Sequence, residues 1–368
     1  MLPIIAMEEN KTIPGASFES MACPMPLSHK DTIVMSHGSG GRMTLDLIRS
    51  VFQKYFQSPL LTRGNDFADI QVDSAMKDQR IVVSTDGHIV NPVFFPGGDI
   101  GRLAISGTVN DISMSGGIPR YITASFIIEE GFPISDLERI ADSMQQTAEE
   151  AGVQIIAGDT KVAEKGKADK VFISTTGIGF VSENKNIGGE FAQPGDAVII
   201  SGSIGDHGIA VLAARNELGF RTTIISDVAP LNHLIQTVMK AAPDVHVLRD
   251  PTRGGLATTL NEIATQSKVS IELVETHIPV MQEVRSACEI LGFDPMYVAN
   301  EGKVIIILPQ RQAQAAIDAL QSHPLGKQAV IIGSVVQPTG TPRVTMKTSI
   351  GGTRIVDMLS GEMLPRIC

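Results

Sequence analysis

Five aspartates stand where a chain can present a carboxylate, at the ends of apolar runs or in glycine-rich turns. They are Asp86, Asp99, Asp111, Asp159 and Asp250. Carboxylates in such positions suit Mg²⁺, which takes oxygen ligands and bridges nucleotide phosphates. A single aspartate in a turn is more often a cap or turn residue, and Asp99 and then Asp250 fit that alternative best. Together the five favour a metal–triphosphate site.

A glycine-rich run precedes the first helical segment. It reads His37-Gly-Ser-Gly-Gly41 and leads into apolar residues at helical spacing. The backbone N–H groups of such a run, with a helix N-terminus behind them, can bind an anion. The run lacks the Gly-Lys-Ser/Thr of a P-loop and the full spacing of a dinucleotide fingerprint. A phosphate-binding loop and a simple tight turn therefore stay open as alternatives.

Three further side chains could act on a phosphorylated or carbonyl substrate. Lys161 follows a strand-end aspartate, and it could face phosphate or a reacting carbonyl, or lie solvated at the strand end. Arg253 lies in the turn that Asp250 begins, where it could clamp phosphate or pair with Asp250. Glu301 precedes an apolar run. It could serve as a general base if burial raised its pKa, although its spacing also fits a surface turn.

The three cysteines differ in their surroundings. They are widely spaced and form no Cys-x-x-Cys pair, which argues against a disulfide framework and a zinc site. Cys288 falls on the apolar stripe of a predicted helix and is predicted to be a core thiol, whereas Cys23 lies in a proline-interrupted N-terminal stretch. Cys368 ends a patternless tail of about 11 residues, which could sweep on the order of 35 Å when extended. It is either an inert terminal thiol or one carried between a partner and an active site.

Short β-branched runs alternate with amphipathic segments, which predicts a mixed α/β fold. A polar, glycine-rich stretch at 182–195 predicts a linker between two domains. The predicted strands are 81–85, 121–128, 153–157, 170–181, 197–201, 269–274, 303–308, 328–336 and 342–347. The predicted helices include 100–115, one that opens at Ser135 with a capping box to Glu138, and 207–218, 230–240, 254–266, 280–291 and 311–322.

The composition limits the class of protein. The chain has 368 residues, 43% hydrophobic and 19% charged, which is enough to bury a core and to form two domains. Its 30 basic and 40 acidic residues give a net charge of −10, which argues against a nucleic-acid-binding protein. No apolar run approaches the ~18 residues of a membrane span, and the N-terminus lacks signal-peptide features. We expect a cytoplasmic protein with no membrane or nucleic-acid partner.

Nine short motifs occur in an order that resembles a known family. They are His37-Gly-Ser-Gly-Gly41, Ser84-Thr-Asp-Gly87, Phe94-Phe-Pro-Gly-Gly-Asp99, Gly107-Thr-Val-Asn-Asp111, Gly158-Asp-Thr-Lys161, Gly205-Asp-His-Gly208, Asp250-Pro-Thr-Arg-Gly-Gly255, Asn300-Glu-Gly-Lys303 and the terminal Pro-Arg-Ile-Cys368. Over 33–368 the sequence closely resembles the HypE family of nickel–iron hydrogenase maturation proteins, in the aminoimidazole-ribonucleotide-synthetase (PurM-like) superfamily.

The resemblance implies a fold and a division of the chain. Two α/β domains are expected, with the N-terminal sheets of two subunits pairing into a barrel across a homodimer. The expected parts are an irregular arm at 1–32, an ATP-binding and dimerisation domain at 33–185, a C-terminal α/β domain at 195–350, and a flexible tail at 357–368.

The resemblance also implies a reaction and its partners. The carbamoyltransferase HypF places a carbamoyl group on Cys368, and the protein uses ATP and Mg²⁺ to dehydrate this thiocarboxamide to a thiocyanate. The cyano group then passes to iron on the HypC–HypD complex. Catalytic roles are implied for Cys368, Glu301 as base and Lys161 as the polarising charge. Nucleotide-binding roles are implied for His37, Gly38, Gly40, Gly41, Asp86, Asn110, Asp111, Asp159, Thr160 and Arg253, and metal-binding roles for Asp86, Asp111, Asp159 and Asp250.

Two kinds of alternative function stay open. Other ATP-dependent enzymes of the same fold, such as thiamine-phosphate kinase or selenophosphate synthetase, would share the aspartates but have no use for Cys368. A catalytically silent scaffold would present its tail to maturation partners without turning over ATP.

Overall fold

The described chain forms two large β-sheets, one before and one after the run 183–195, and a separate two-stranded sheet. The computed structural model describes residues 31–38, 42–59, 78–215, 223–358 and 367. The strands in those residues are β1 (Gln79–His88), β2 (Phe94–Phe95), β3 (Gly98–Asp99), β4 (Ile118–Glu129), β5 (Gln154–Ala163), β6 (Val171–Ser182), β7 (Asp196–Ile200), β8 (Val247–Arg249), β9 (Ser270–Val274), β10 (Ile305–Pro309), β11 (Val330–Val336), β12 (Val344–Lys347) and β13 (Thr353–Val356).

The first sheet has the strand order β1-β6-β4-β5 and is covered by helices on one face. Its helices are α1 (Arg42–Leu47), α2 (Gln53–Tyr55), α3 (Ile100–Met114) and α4 (Ile134–Ala151), with a π-helical turn at Ile48–Phe52 between the first two. In α4, the buried Leu137, Ile140 and Met144 recur at helical spacing and pack toward the sheet. The helix ends at Gly152, whose φ of 70° is the left-handed conformation of a glycine C-cap.

The opposite face of this sheet carries no helix among the described residues. Along β1, alternate residues are exposed, with Ile81 and Val83 each 60% exposed. Ile127 of β4 is 45% exposed on the same face. Since successive side chains of a strand point to opposite faces, the sheet has a covered face and an open, partly apolar face.

The second sheet has the order β13-β12-β9-β11-β7-β10-β8 and is buried on both sides at its centre. Every residue of β7 is buried, and so are Ile305–Leu308 of β10, which gives these strands a nearly continuous apolar sequence. The helices around it are α5 (Asp206–Ala214), α6 (Asn232–Ala241), α7 (Gly255–Ser267), α8 (Gln282–Leu291) and α9 (Ala313–Gln321). The predicted mixed α/β class is confirmed.

Two local predictions are wrong in detail, and the short strands β8 and β13 were not predicted. Asp86 and Asp159 lie inside β1 and β5 rather than beyond their ends, because the ladders continue through Asp86↔Thr175 and Ser125↔Asp159. The capping box at Ser135 does not form, since the helix begins at Ile134 and no side chain caps it. Strands β8 and β13 are too short to leave a period in the sequence, and only pairing with neighbouring strands defines them.

The two ends of the chain are described at only a few residues. The expected arm lies outside the described residues up to position 30, after which Ile33 is fully buried against the first sheet's core. Of the last ten residues only Ile367 is described, and it is 4% exposed. No helix in the described ranges is long and apolar enough to span a membrane.

Candidate active site

Four carboxylates from separate elements surround one region between the two sheets. They are Asp86 on β1, Asp111 on α3, Asp250 just after β8, and Glu301 shortly before β10. Burial raises the pKa of Asp250 to about 7, and the Asp111 and Asp86 carboxylates add to the rise. Burial also raises the pKa of Asp111, with a further contribution from Asp86. The carboxylates are therefore close enough to repel one another. Carboxyl groups in a cleft whose pKa values are shifted by burial and by neighbouring charges are typical of functional sites.

Hydrogen bonds hold Asp111 and Asp86 in place. The Ser84 hydroxyl donates to Asp111 Oδ2 at 2.6 Å, and the Gly87 N–H donates to Asp86 Oδ1 at 2.7 Å. A Cβ added at Gly107 would lie 3.1 Å from the His88 ring and 3.5 Å from Asp86 Oδ2. A glycine at this position lets α3 approach β1 closely, which brings the two aspartates together.

Glu301 is a buried carboxyl beside the other three. It is 4% exposed, and Oε1 has no hydrogen-bond partner in the described part of the chain. Burial raises the pKa of Glu301 well above its usual value, and Asp250 and Asp227 are the next contributors. A buried carboxyl without a partner is costly, and it is suited to take a proton from a bound group.

The backbone around Glu301 is fixed by Asp227. The Asp227 carboxylate accepts from the N–H of Glu301 at 3.1 Å and of Gly302 at 3.2 Å, and from Lys303 Nζ at 3.0 Å. Burial alone would raise the pKa of Asp227, but the Lys303 ammonium and these N–H groups outweigh it and hold the pKa below its usual value. A Cβ at Gly302 would lie 1.8 Å from the Asp227 carbonyl oxygen, so this close approach requires glycine.

Asn300 and Asn110 bind the site's loops together. Asn300 Nδ2 donates to the Pro251 carbonyl at 2.9 Å, and its Oδ1 accepts from the Gly205 N–H at 2.7 Å. Asn110 Nδ2 donates to the Ala229 and Glu301 carbonyls, and its Oδ1 accepts from the Leu231 N–H at 2.7 Å. The predicted nucleotide contact of Asn110 stays a prediction, since its amide is bonded to the main chain here.

A cavity of about 440 Å³ opens beside the carboxylates. Two arginines line it with Asp111 and Asp250: Arg253, which the sequence singled out, and Arg249, which it did not. Arg249 also pairs with Glu262 at 2.5 Å. The cavity is of the size that small-molecule sites have, and its guanidinium groups are suited to phosphate.

The donor set fits the expected Mg²⁺ in kind. Asp86, Asp111 and Asp250 offer only carboxylate oxygens, the ligands that Mg²⁺ takes. The described residues contain no group of three or more carboxylate, histidine or cysteine side chains arranged around a common point. Mg²⁺ is usually bound by one or two carboxylates together with substrate phosphates, so the assignment of Asp86, Asp111 and Asp250 to the metal stays a prediction.

Other predicted residues lie elsewhere. Asp159 and Lys161 form an ion pair of 2.6 Å, each more than 60% exposed, on the open face of the first sheet, where Lys161 lies opposite Ile127. The intervening Thr160 is buried on the covered side. One chain therefore does not bring Lys161 beside Glu301.

The glycine-rich loop is described only in part. His37 is buried in a 3₁₀ turn, Met35–Gly38, where its Nδ1 accepts from the Val34 N–H at 3.0 Å. Gly40 and Gly41 lie outside the described residues. Their predicted role stays a prediction, as does that of Gly38.

Two predicted structural roles are confirmed. Asp99 caps α3, since its Oδ1 accepts from the Gly101 N–H at 2.7 Å and the Arg102 N–H at 3.1 Å. Cys288 is 1% exposed, and burial raises the pKa of its thiol to about 11. Neither residue belongs to the site, whereas Cys23 and Cys368 lie outside the described residues.

Sequence reasoning missed the roles of Asp227, Lys303 and His207. His207 and Lys303 stand inside motifs that were recognised, Gly205-Asp-His-Gly208 and Asn300-Glu-Gly-Lys303, but no local pattern gave them a function. Asp227 stands in no motif at all. Only its contact with residues more than 70 positions away reveals it.

Comparisons with known proteins agree with the two-sheet division. Residues 64–181 match the model of the AIR synthase related protein, N-terminal domain, and residues 193–344 match that of the C-terminal domain. The carbamoyl dehydratase HypE of Azotobacter vinelandii is 50% identical over 337 residues, which cover 92% of this chain and 97% of that protein.

Solved structures show the same likeness. A crystal structure of hydrogenase maturation protein HypE in complex with ATP has a TM-score of 0.87 at 48% identity, covering 92% of this chain and all of that one. A chain of a HypE–HypF complex has a TM-score of 0.74 at 49% identity, covering 85% of this chain and 99% of that one.

Proposed function

The chain belongs to the HypE family of carbamoyl dehydratases, within the AIR synthase related proteins, and from that premise we propose that it uses ATP to dehydrate an S-carboxamide on its own Cys368 to a thiocyanate. The product supplies cyanide ligands for the iron of nickel–iron hydrogenase.

The observation that carries this proposal is the environment of Glu301. Its carboxyl is buried, has an oxygen without a hydrogen-bond partner in the described part of the chain, and is surrounded by like charges that raise its pKa. Dehydration of an amide to a nitrile removes two protons from nitrogen, so it needs a base shielded from water. Glu301 has those properties.

The reaction can be written with atoms balanced. The carboxamide oxygen attacks the γ-phosphorus of ATP, ADP leaves, and the oxygen becomes a phosphate ester, since an amide oxygen is otherwise a poor leaving group. Glu301 accepts one proton from nitrogen. The C–O bond then breaks, phosphate leaves with the electrons of that bond and takes up the second nitrogen proton, and the carbon–nitrogen bond becomes triple. The products are thiocyanate, ADP and phosphate, with a proton released.

The cavity beside the carboxylates is proposed to bind ATP. A HypE crystal structure that contains ATP supports this. Arg253 and Arg249 line the cavity and would neutralise phosphate charge, and the His37–Gly41 run would cover the phosphates. Bound Mg²⁺ would supply charge neutralisation of the triphosphate, and Asp86, Asp111 and Asp250 would hold it.

Partner proteins supply the carbamoyl group and accept the cyano group. We propose HypF as the carbamoyl donor, supported by the HypE–HypF complex, and HypC–HypD as the acceptor. The proposal also places the chain in a reducing cytoplasm, where Cys368 stays a free thiol.

Mass spectrometry of Cys368 tests the function directly. After incubation with carbamoyl phosphate, ATP and the carbamoyltransferase, we expect a carbamoyl adduct that converts to a thiocyanate as ADP appears. A silent scaffold would keep the carbamoyl adduct and produce no ADP. A small-molecule kinase would turn over ATP with its own substrate and leave Cys368 unmodified.

The open face of the first sheet supports a homodimer. Ile81, Val83 and Ile127 expose apolar surface there, and both edge strands are unpaired within the described chain. Asp159 and Lys161 lie on this face, so a second copy packed against it would meet them. We propose that Lys161 acts on the thiocarboxamide in such a dimer. Light scattering that shows a monomer at micromolar concentration would contradict the homodimer and this role of Lys161.

Mixing two inactive variants is expected to restore activity if Lys161 acts across the dimer. Lys161→Ala and Glu301→Gln would each be inactive alone. In an equal mixture, random exchange of subunits would make about half of the dimers mixed, and each mixed dimer would have one intact site of its two. The mixture should therefore show about one quarter of wild-type activity. The two variants are mixed without denaturant until their subunits have exchanged, and thiocyanate formation is then measured. The matched control mixes Lys161→Ala with wild type. No recovery in a verified mixed dimer would place both residues in one subunit's site.

The pH dependence should report the carboxylate cluster. Glu301 acts only when deprotonated, so kcat/KM for ATP should fall as the pH drops through its raised pKa. Asp250→Asn removes a carboxylate that raises this pKa, so the acidic limb should move to lower pH even though total activity decreases. A pH–rate profile of each protein measures this. An unmoved limb would exclude Glu301 as the titrating base.

A further inference from the structure

The residue before the terminal cysteine occupies a buried receptor in the second half of the chain. Ile367 is 4% exposed, and its carbonyl oxygen lies 2.9 Å from Nε2 of His207. His207 is the second residue of α5 and is itself fully buried. A contact between residues 160 positions apart therefore holds the chain one residue before Cys368.

The hydrogen-bonding direction at His207 follows from its partners. The Ile367 carbonyl can only accept, so Nε2 must carry a proton and donate it. Burial lowers the pKa of His207 against the opposing charge of Asp227, which favours the neutral ring in which Nδ1 is an acceptor. The Ser226 hydroxyl lies 2.8 Å from Nδ1 and must donate to it, while its oxygen accepts from the Val228 N–H at 3.1 Å. The chain of bonds from Val228 to Ile367 is fully satisfied and fixes one tautomer.

An aromatic ring fixes the orientation of the imidazole. The Phe95 ring packs edge-on against His207, with ring centroids 5.5 Å apart and planes at 90°. Phe95 is buried and belongs to the β2–β3 ribbon. Packing from one part of the chain and hydrogen bonds from another therefore fix the orientation of the imidazole. A side chain that binds one carbonyl group needs such a fixed orientation.

The same loop that holds His207 also holds the proposed base. Ser226 bonds to His207, and its neighbour Asp227 accepts from the N–H groups of Glu301 and Gly302. The Ala229 N–H in turn donates to the Glu301 carbonyl at 3.4 Å. Four consecutive residues, 226–229, therefore join the receptor for Ile367 to the backbone of Glu301.

We infer that His207, oriented by Ser226 and Phe95, is a binding site for the main chain of residue 367 and positions Cys368 for dehydration. The inference rests on the proposed function. It makes His207 a positioning residue that does not touch the reacting atoms. The receptor binds one carbonyl and one buried aliphatic side chain, so its ligand is the apolar penultimate residue of this chain.

Alkylation of Cys368 by iodoacetamide tests the receptor without any catalysis. His207→Phe keeps the ring volume and removes both nitrogens. A neutral buried hydrogen bond corresponds to a factor of about 2 to 12 in an equilibrium, so site-resolved mass spectrometry should show Cys368 labelled roughly 2- to 12-fold faster. Cys288 is the internal control, because its buried thiol reacts faster only if the fold opens. His207→Gln keeps an Nε2 donor and should return labelling toward the wild-type rate.

Dehydration should change in the opposite direction. In a single turnover of carbamoylated protein with ATP, His207→Phe should form thiocyanate more slowly by up to the same factor, with ATP affinity unchanged. Ile367→Ala alters only the occupant of the receptor, so it should reproduce both effects even if the His207 variant misfolds. Unchanged labelling and turnover in Ile367→Ala would overturn the inference.

The two proposals fail in distinguishable ways. If the variants are labelled faster but the wild-type protein forms no thiocyanate, the result would support the receptor for Ile367 and contradict the dehydratase function. If the wild-type protein forms thiocyanate normally, and substitutions at His207 and Ile367 change neither the labelling of Cys368 nor the rate of thiocyanate formation, the result would support the dehydratase function and contradict the receptor.

Discussion

Replacing Cys368 with alanine is expected to abolish thiocyanate formation and partner-dependent maturation. The thiol carries the substrate covalently, so no neighbouring side chain can take its place. Folding should be almost unaffected, because one terminal sulfur is lost while Ile367 and its receptor remain. Mass spectrometry for the adduct and a thermal melt for stability measure the two halves of this prediction.

Matched cysteine variants separate the terminal thiol from thiol chemistry in general. Cys23→Ser and Cys288→Ala should both keep full carbamoylation and dehydration of Cys368, although Cys288→Ala removes a buried group and should lower the melting temperature. Appending a few residues after Cys368 should impair dehydration, since the thiocarboxamide would enter the site with a trailing chain. A cyano group found on another residue of Cys368→Ala would refute the mechanism.

Replacing Glu301 with glutamine is expected to stall dehydration while ATP still binds. The two side chains have the same shape, so the backbone bonds of residue 301 to Asp227 and Asn110 persist. Only the ability to accept the amide proton is lost, and positioned general bases typically contribute about 10²- to 10⁴-fold. Single-turnover thiocyanate formation should fall by that range, and calorimetry should show nearly unchanged ATP affinity.

An exposed glutamate provides the control for this substitution. Glu289→Gln makes the same chemical change on the outer side of α8 and should leave both the rate and ATP affinity unaltered. Thiocyanate formation at the wild-type rate in Glu301→Gln would remove Glu301 from the mechanism and with it the observation on which the proposed function depends.

Local structure and the kind of chemistry could be predicted from the order of the residues. Helical spacing in α4 and β-branched runs in β6 and β10 were readable because burial of one face imposes a period on the chain. Asp99 as a helix cap and Cys288 as a core thiol followed from their neighbours alone, and the order of short motifs identified the family.

Which polar residues act together depends on contacts that form only when the whole chain folds. Asp227 reaches Glu301 from 74 positions away, and His207 reaches Ile367 from 160; no local period encodes such distances, because sheet pairing and packing of the whole core set them. The same holds for Asp159 and Lys161, which the strand register places on the open face of the first sheet. The raised pKa of Glu301 likewise has no sequence signal, since it arises from burial and from carboxylates that folding brings beside it.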